Sequence, residues 1–265
     1  MRRLLFGALG VVFVVTGTAA EPRPLVAAHR GGALLWPENS LSAFRGALAL
    51  GVDLVELDVH LAKDGEVVVL HDPTLERTTT GRGAVRDLAW AELAGITVKG
   101  TTEPLPRLGD VLALLKPSRA GLLLEIKVGV NRARYAGIEE KVLAPLGAAG
   151  LLARTTIMAF EWDTLERLRA LSPAVRLAGL LSQRGAERTG GVRAAVEQLR
   201  AIGANDLGIE RTLLSPETVA AARAAGLTIG VWTVNDPEEL RRTLAVGVDY
   251  VTTDRPDLAL ALRGR

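Results

Sequence analysis

The chain has 265 residues, no cysteine, and 32 basic against 30 acidic side chains, for a formal net charge of +2. A composition of 48% hydrophobic and 23% charged residues excludes disorder and collagen-like repetition, and the lack of cysteine excludes disulfides, thiolate nucleophiles and Cys-ligated metal centres. Near-neutral charge and sparse aromatics leave neither the basic excess nor the stacking platform that would signal a nucleic-acid partner.

The first element is a leader. Met1-Arg2-Arg3 is followed by the apolar run LLFGALGVVFVV and then by Thr18-Ala19-Ala20 before Glu21. This is the layout of a secretory signal peptide over residues 1–20, and it predicts export to the periplasm or the medium. The run is shorter than the roughly 20 apolar residues of a bilayer-spanning helix, and no later segment of the mature chain is long and apolar enough to span. Loss of Arg2 and Arg3 would leave 30 basic and 30 acidic side chains, so the sequence pI of about 9.2 describes the precursor.

Short β-branched runs then alternate with amphipathic stretches. Strands are predicted at 25–29, 53–60, 66–71, 121–127, 155–160, 176–181, 206–210, 228–234 and 249–253. Helices are predicted at 39–50, 107–116, 134–147, 161–171, 191–202, 215–225 and 236–246, with Asn39, Ser215 and Asn235-Asp236 as caps. Parallel neighbours need crossovers of a dozen or more residues, yet only Leu61 to Gly65 separates the second run from the third. Asp64-Gly65 marks a two-residue hairpin there, which makes 66–71 an antiparallel return and leaves eight parallel strands. The expectation is one (β/α)8 TIM barrel over 21–265, with a β-hairpin and a small insertion at 72–106 after the second strand. A doubly wound sheet is disfavoured because no Gly-rich nucleotide-binding turn follows the first strand.

Catalytic groups of such a barrel lie at the C-terminal strand ends. The first strand ends in His29-Arg30-Gly31-Gly32. The second places Glu56, Asp58 and His60 on one face by its two-residue period. A two-residue hairpin turn would set His71 opposite Asp58 and His60 opposite Val69. The run Leu122 to Lys127 adds Glu125 and Lys127 on a common face. Glu56, Asp58 and Glu125 are hard oxygen ligands suited to one divalent cation, Mg2+ or Ca2+. His29 and His71 can supply acid and base, and Arg30 and Lys127 can bind a phosphate. Together these describe phosphodiester cleavage. His60, Glu38 and Asn39 read as structural residues, Asp254 as a cap, and Trp162 as packing at a helix start. Trp232 is balanced between barrel filling and substrate contact.

The motifs AAHRGG, PENS, VELDVHLAKDGEVVVLHD, LLLEIK, VWTVND and GVDYVTTDRPD occur in this order between Leu25 and Pro256. Their sequence resembles the glycerophosphodiester phosphodiesterase family. The resemblance implies a (β/α)8 barrel that hydrolyses small-molecule glycerophosphodiesters to sn-glycerol 3-phosphate and an alcohol. It implies His29 and His71 as the acid–base pair, Glu56, Asp58 and Glu125 as metal ligands, Arg30 and Lys127 as phosphate contacts, and Trp232 lining the pocket. Ser40 stands where the family usually has Thr, and Ala159 where it often has Ser. Attack by the glycerol 2-hydroxyl through a cyclic phosphate and direct attack by water are both compatible with this set. A lipid-directed phospholipase D-like or sphingomyelinase D-like relative, or a non-catalytic phosphodiester-binding surface protein, are the alternative readings.

Overall fold

The computed structural model describes residues 23–264, so the expected leader at 1–20 lies outside the described residues. The strands are β1 (Leu25–Ala28), β2 (Leu54–Leu61), β3 (Val67–Val69), β4 (Gly121–Ile126), β5 (Thr155–Ala159), β6 (Arg176–Leu181), β7 (Asp206–Glu210), β8 (Thr228–Trp232) and β9 (Tyr250–Thr253). They form one sheet in the order β1-β9-β8-β7-β6-β5-β4-β2-β3, and a further β1–β2 pairing closes it. Every pairing is parallel except β2 with β3. The result is the expected barrel of eight parallel strands with one antiparallel return.

Helices α1 (Leu41–Leu50), α2 (Trp90–Leu93), α3 (Leu108–Leu115), α4 (Ile138–Ala149), α5 (Trp162–Leu171), α6 (Gln183–Thr189), α7 (Val192–Ile202), α8 (Pro216–Ala224), α9 (Pro237–Ala245) and α10 (Pro256–Arg263) accompany the strands. Their apolar faces and the outward strand residues, such as Val55, Leu57, Val59, Leu122 and Leu124, form the main core. The caps follow local chemistry. Ser215 accepts from the Thr218 amide at 3.1 Å, with Pro216 opening α8. Asp236 does the same for Glu238 and Glu239 at 3.0 and 2.9 Å, with Pro237 opening α9. The cap expected at Asn39 is instead Ser40, whose Oγ accepts from the Ala43 amide at 3.0 Å. Asn39 stands one residue outside, at φ +56°, and is put to another use described below.

The hairpin keeps its place but shifts register by one. Val59 faces Val69, His60 faces Val68 and Leu61 faces Val67. The loop has three residues, because Ala62 donates its amide to the Glu66 carbonyl at 2.9 Å and Gly65 takes φ +87°. A three-residue loop closed by a left-handed glycine is the next most common solution after the two-residue turn. His71 therefore lies beyond the end of β3 and is not a strand partner of Asp58. Residues 72–106 then wrap over the hairpin, and Leu75, Val85, Leu93 and Leu105 join Val68 and Leu70 in a separate small core.

The barrel interior is filled by Ala27, Leu123, Met158, Ala178, Leu180 and Tyr250. Gly208, Gly230 and Tyr250 lie side by side across β7, β8 and β9; Gly230 admits the tyrosine ring and Gly208 makes room for Leu180. A Cβ on Gly230 would stand 2.0 Å from that ring. Gly230→Ala is thus expected to destabilise the protein by about 1–3 kcal/mol, the usual range for overpacking, read as a lowered denaturant midpoint at unchanged m-value.

Candidate active site

The parallel register brings the acids together before any other contact is considered. Asp58 of β2 is the direct neighbour of Glu125 of β4, and Glu56 precedes Asp58 by one strand period. One oxygen from each of Glu56, Asp58 and Glu125 lies within 4.8 Å of the others, and all three residues are buried. Like charges held this close need counter-charges. Lys127 Nζ lies 2.7 Å from Glu125 Oε1 and 3.4 Å from Asp58 Oδ1. Arg30, at the left-handed φ of +50°, turns its amide onto Glu56 Oε2 at 2.7 Å and its Nε to within 3.4 Å of Asp58 Oδ2. Asn39 Nδ2 donates to the same Asp58 oxygen at 3.0 Å.

These supports are unequal. Burial favours the neutral form of Asp58, but Lys127, His71 and Arg30 hold its carboxyl far below the usual carboxylate range. Glu56 is pushed up to about 8, by burial first and then by Asp58. The cluster fits a divalent cation. Its donors are hard oxygens, and Asp58 Oδ1 and Asn39 Oδ1 are buried without a hydrogen-bond partner beside it. Buried oxygens without a hydrogen-bond donor are uncommon in folded proteins, and these two add to that fit.

The two histidines line the same cavity as Glu56 and Glu125 of this cluster. His29 Nδ1 lies 2.7 Å from Asp254 Oδ1, and Asp254 Oδ2 accepts from Asn235 Nδ2 at 2.6 Å. Asp254 is thus the partner of His29 rather than a helix cap. His71 Nδ1 lies 2.7 Å from Asp72 Oδ1. A carboxylate can only accept, so each Nδ1 carries the proton and Nε2 is left for exchange. Burial opposes charging of His29, but Glu56 and the bond to Asp254 leave it above its ordinary value. Burial pulls His71 down, and Lys127 and Arg30 offset the upward pull of Asp58.

His60 is structural, as expected. Its Nε2 donates to the His71 carbonyl at 3.0 Å, so its Nδ1 accepts from the Tyr135 hydroxyl at 2.8 Å. Burial pushes it down to about 4, which keeps the ring neutral for both bonds. His71 is therefore brought to the site by a side-chain anchor on its backbone, after strand pairing has ended.

His29, Arg30, Glu56, His71, Glu125 and Lys127 line a cavity of about 180 Å3 together with Met158, Phe160, Leu180 and Trp232. Trp232 donates from Nε1 to the Gly208 carbonyl at 3.1 Å and meets Phe160 edge to face at 5.4 Å between centroids. Trp232 both fills the barrel and lines the cavity. Trp162 opens α5 and packs against the main core.

Residues 29–258 match the Glycerophosphoryl diester phosphodiesterase family. The chain belongs to this family. A glycerophosphodiester phosphodiesterase of Caldanaerobacter subterraneus subsp. tengcongensis is 34% identical over 246 residues, covering 91% of this chain and 98% of that protein. A solved structure from Agrobacterium tumefaciens str. C58 has a TM-score of 0.86 at 32% identity, covering 91% and 97% of the two chains. A phosphodiesterase of Oleispira antarctica, solved in complex with the product sn-glycerol-3-phosphate, has a TM-score of 0.75 at 26% identity, covering 91% and 96%.

The residues that the sequence singled out come together: His29, Arg30, Glu56, His71, Glu125, Lys127 and Trp232 line the cavity, and Asp58 joins Glu56 and Glu125 in the carboxylate cluster. Sequence reasoning missed the partners that hold them. Asp254 could have been found from its place at the end of the last strand, where a barrel puts functional groups. Asp72 could have been found from its adjacency to His71. Nothing in the local sequence indicates that Asn39 reaches Asp58, because the contact depends on its left-handed backbone. An Asp254→Asn variant is expected to lower kcat on the order of 100-fold with KM little changed, since it disturbs the tautomer and aim of His29. Steady-state kinetics on the purified variant would check this.

Proposed function

We propose that this chain hydrolyses glycerophosphodiesters to sn-glycerol 3-phosphate and an alcohol, using one divalent cation, Mg2+ or Ca2+, held by Glu56, Asp58 and Glu125. The observation that carries the reading is the meeting, in one cavity, of two carboxylate-oriented histidines, two cationic side chains and the buried three-carboxylate cluster. A bound cation at these oxygens would withdraw charge from the phosphoryl group. Arg30 and Lys127 orient the phosphate and stabilise the charge that grows on its oxygens. His71, held neutral, takes the proton of the attacking hydroxyl at Nε2, and His29, more readily charged, gives one to the departing alkoxide. Met158, Phe160, Leu180 and Trp232 give the same cavity an apolar lining.

Attack by the substrate's own 2-hydroxyl forms a cyclic phosphate that water then opens, with the histidine roles reversed. Direct attack by water gives the same products without that species, and trapping of the cyclic phosphate separates the two routes. The defining experiment is release of sn-glycerol 3-phosphate from a panel of glycerophosphodiesters. The reading expects release that stops in excess chelator and returns with Mg2+ or Ca2+. Full turnover in chelator would reject the cation, and turnover of sphingomyelin or phosphatidylcholine alone would reject the substrate class. Export through the leader at 1–20 is part of the proposal, and a mature protein beginning at Glu21 is the expected result of N-terminal sequencing.

A further inference from the structure

We propose that Arg77, a half-exposed residue of the insertion at 72–106, is a positioning residue that couples the placement of His71 to that of Arg30. The need for such a coupling follows from the topology. His71 lies past the end of β3, which sits outside the barrel against β2, whereas Arg30 follows β1. No strand pairing joins β1 to β3, so the two loops that carry these groups need a link of their own.

Arg77 supplies it. Its Nε and Nη2 donate to Asp72 Oδ2 and Oδ1 at 2.5 and 2.9 Å, while its Nη1 and Nη2 donate to Glu38 Oε2 and Oε1, both at 2.8 Å. Each carboxylate is thus gripped by two N–H groups of one planar fork. Each also has one oxygen turned to a working group: Asp72 Oδ1 to His71 Nδ1 at 2.7 Å, and Glu38 Oε1 to Arg30 Nη1 at 3.1 Å. An unbroken path therefore runs from His71 through Asp72, Arg77 and Glu38 to Arg30, and from there to Asp58.

A single exposed ion pair contributes little, because it pays side-chain entropy in a high-dielectric medium. This one differs in being bidentate at both ends and part of a network, and its base is fastened as well. Lys99 Nζ donates to the Glu76 carbonyl at 2.5 Å, and the Lys99 amide donates to the Thr78 carbonyl at 2.9 Å. The side chain itself is 46% exposed, so it removes little apolar surface from water and has little packing role. A lysine could neutralise either acid but could not hold both planes in a fixed relation.

The inference rests on the functional reading of His71 and Arg30, and the experiment keeps the two apart. Wild-type protein that releases no sn-glycerol 3-phosphate would reject that reading, whereas an active wild type with an unaffected variant would reject this one. Arg77→Ala is expected to lose about 10–100-fold in kcat, the range seen when an outer partner of a working group is removed, with KM nearly constant and Tm close to wild type. Arg77→Lys keeps the charge and the stem but not the fork, and is expected to lose a similar share. Added methylguanidinium should restore part of the kcat of Arg77→Ala, and methylammonium at equal ionic strength should not. Wild-type kcat in either variant, a loss confined to KM, or equal restoration by the two cations would overturn the proposal. So would a loss that methylguanidinium leaves untouched.

Discussion

Replacement of His29 or His71 by Ala is expected to lower kcat by about 10²–10⁴-fold while the variant still binds substrate and cation. This is the range a positioned acid or base supplies, and it corresponds to about 2.7–5.4 kcal/mol of transition-state stabilisation at 1.36 kcal/mol per tenfold. The argument rests on how each ring is held. Each Nδ1 lies 2.7 Å from a carboxylate oxygen, which fixes the tautomer and leaves Nε2 as the exchanging nitrogen. Neither ring is needed to build the fold. His29 is the first residue after β1 and His71 lies beyond β3, so truncation creates no cavity inside the main core. If the two rings act on one proton inventory, the double variant loses much less than the product of the single losses. The rings also differ in the leaving groups they affect. A substrate with an acidic leaving alcohol, such as a nitrophenyl ester, needs no protonation on departure. It is expected to rescue His29→Ala and not His71→Ala. Rescue of His71→Ala alone would reverse the assignment of acid and base, and rescue of both variants would overturn it.

Much of this site is legible in the sequence because it is built on strands. Period-two alternation puts Glu56 and Asp58 on one face, and parallel register then places Glu125 beside Asp58. The same regularity makes the eight-strand count recoverable, since the short gap at Lys63-Asp64-Gly65 can only be a hairpin. What fails to read out is whatever depends on backbone leaving its regular path. One additional loop residue shifts the hairpin register, and with it the expected pairing of His71 and Asp58. Three residues with positive φ, Arg30, Asn39 and Gly65, decide which groups meet, and no strand or helix period encodes them. His71 reaches the cavity all the same, because His60 holds its carbonyl. Its place at the cavity is legible from the sequence, while its means of support is not. The α2, α6 and α10 helices escape detection for a simpler reason, α2 being a single turn of four residues within the insertion. α6 is seven residues long, too short for its apolar period to register, and α10 lies beyond the last predicted strand, at the end of the alternation.

The buried acids carry a second large effect, and it differs between two residues on the same face of one strand. Asp58→Asn is expected to destabilise the cation-free protein by about 3–5 kcal/mol, the cost of breaking a buried ion pair from one side. Lys127, Arg30 and Asn39 all face that carboxylate, and the side chain is 1% exposed. Glu56→Gln should leave the cation-free protein as stable as wild type or more so. With its carboxyl pushed up to about 8, Glu56 is already largely protonated at neutral pH when no cation is bound. The sign can be worked through from the same shift. Between the ordinary value of 4.5 and about 8, the folded state holds a proton on Glu56 that the unfolded state has released. Stability of the chelated wild type therefore falls as pH rises through that window, by an amount on the order of a few kcal/mol. The slope should flatten in Glu56→Gln. A divalent cation reverses the trend in the wild type, since it binds the ionised carboxylate and so stabilises more as pH rises. Thermal melts between pH 5 and pH 8, in chelator and in excess Mg2+ or Ca2+, read all of this without any activity measurement. A chelated wild type whose Tm rises steadily across the window would contradict a crowded acid cluster. A cation-induced Tm increase that survives unchanged in Glu56→Gln would remove Glu56 from the ligand set and leave Asp58 and Glu125 as its protein donors.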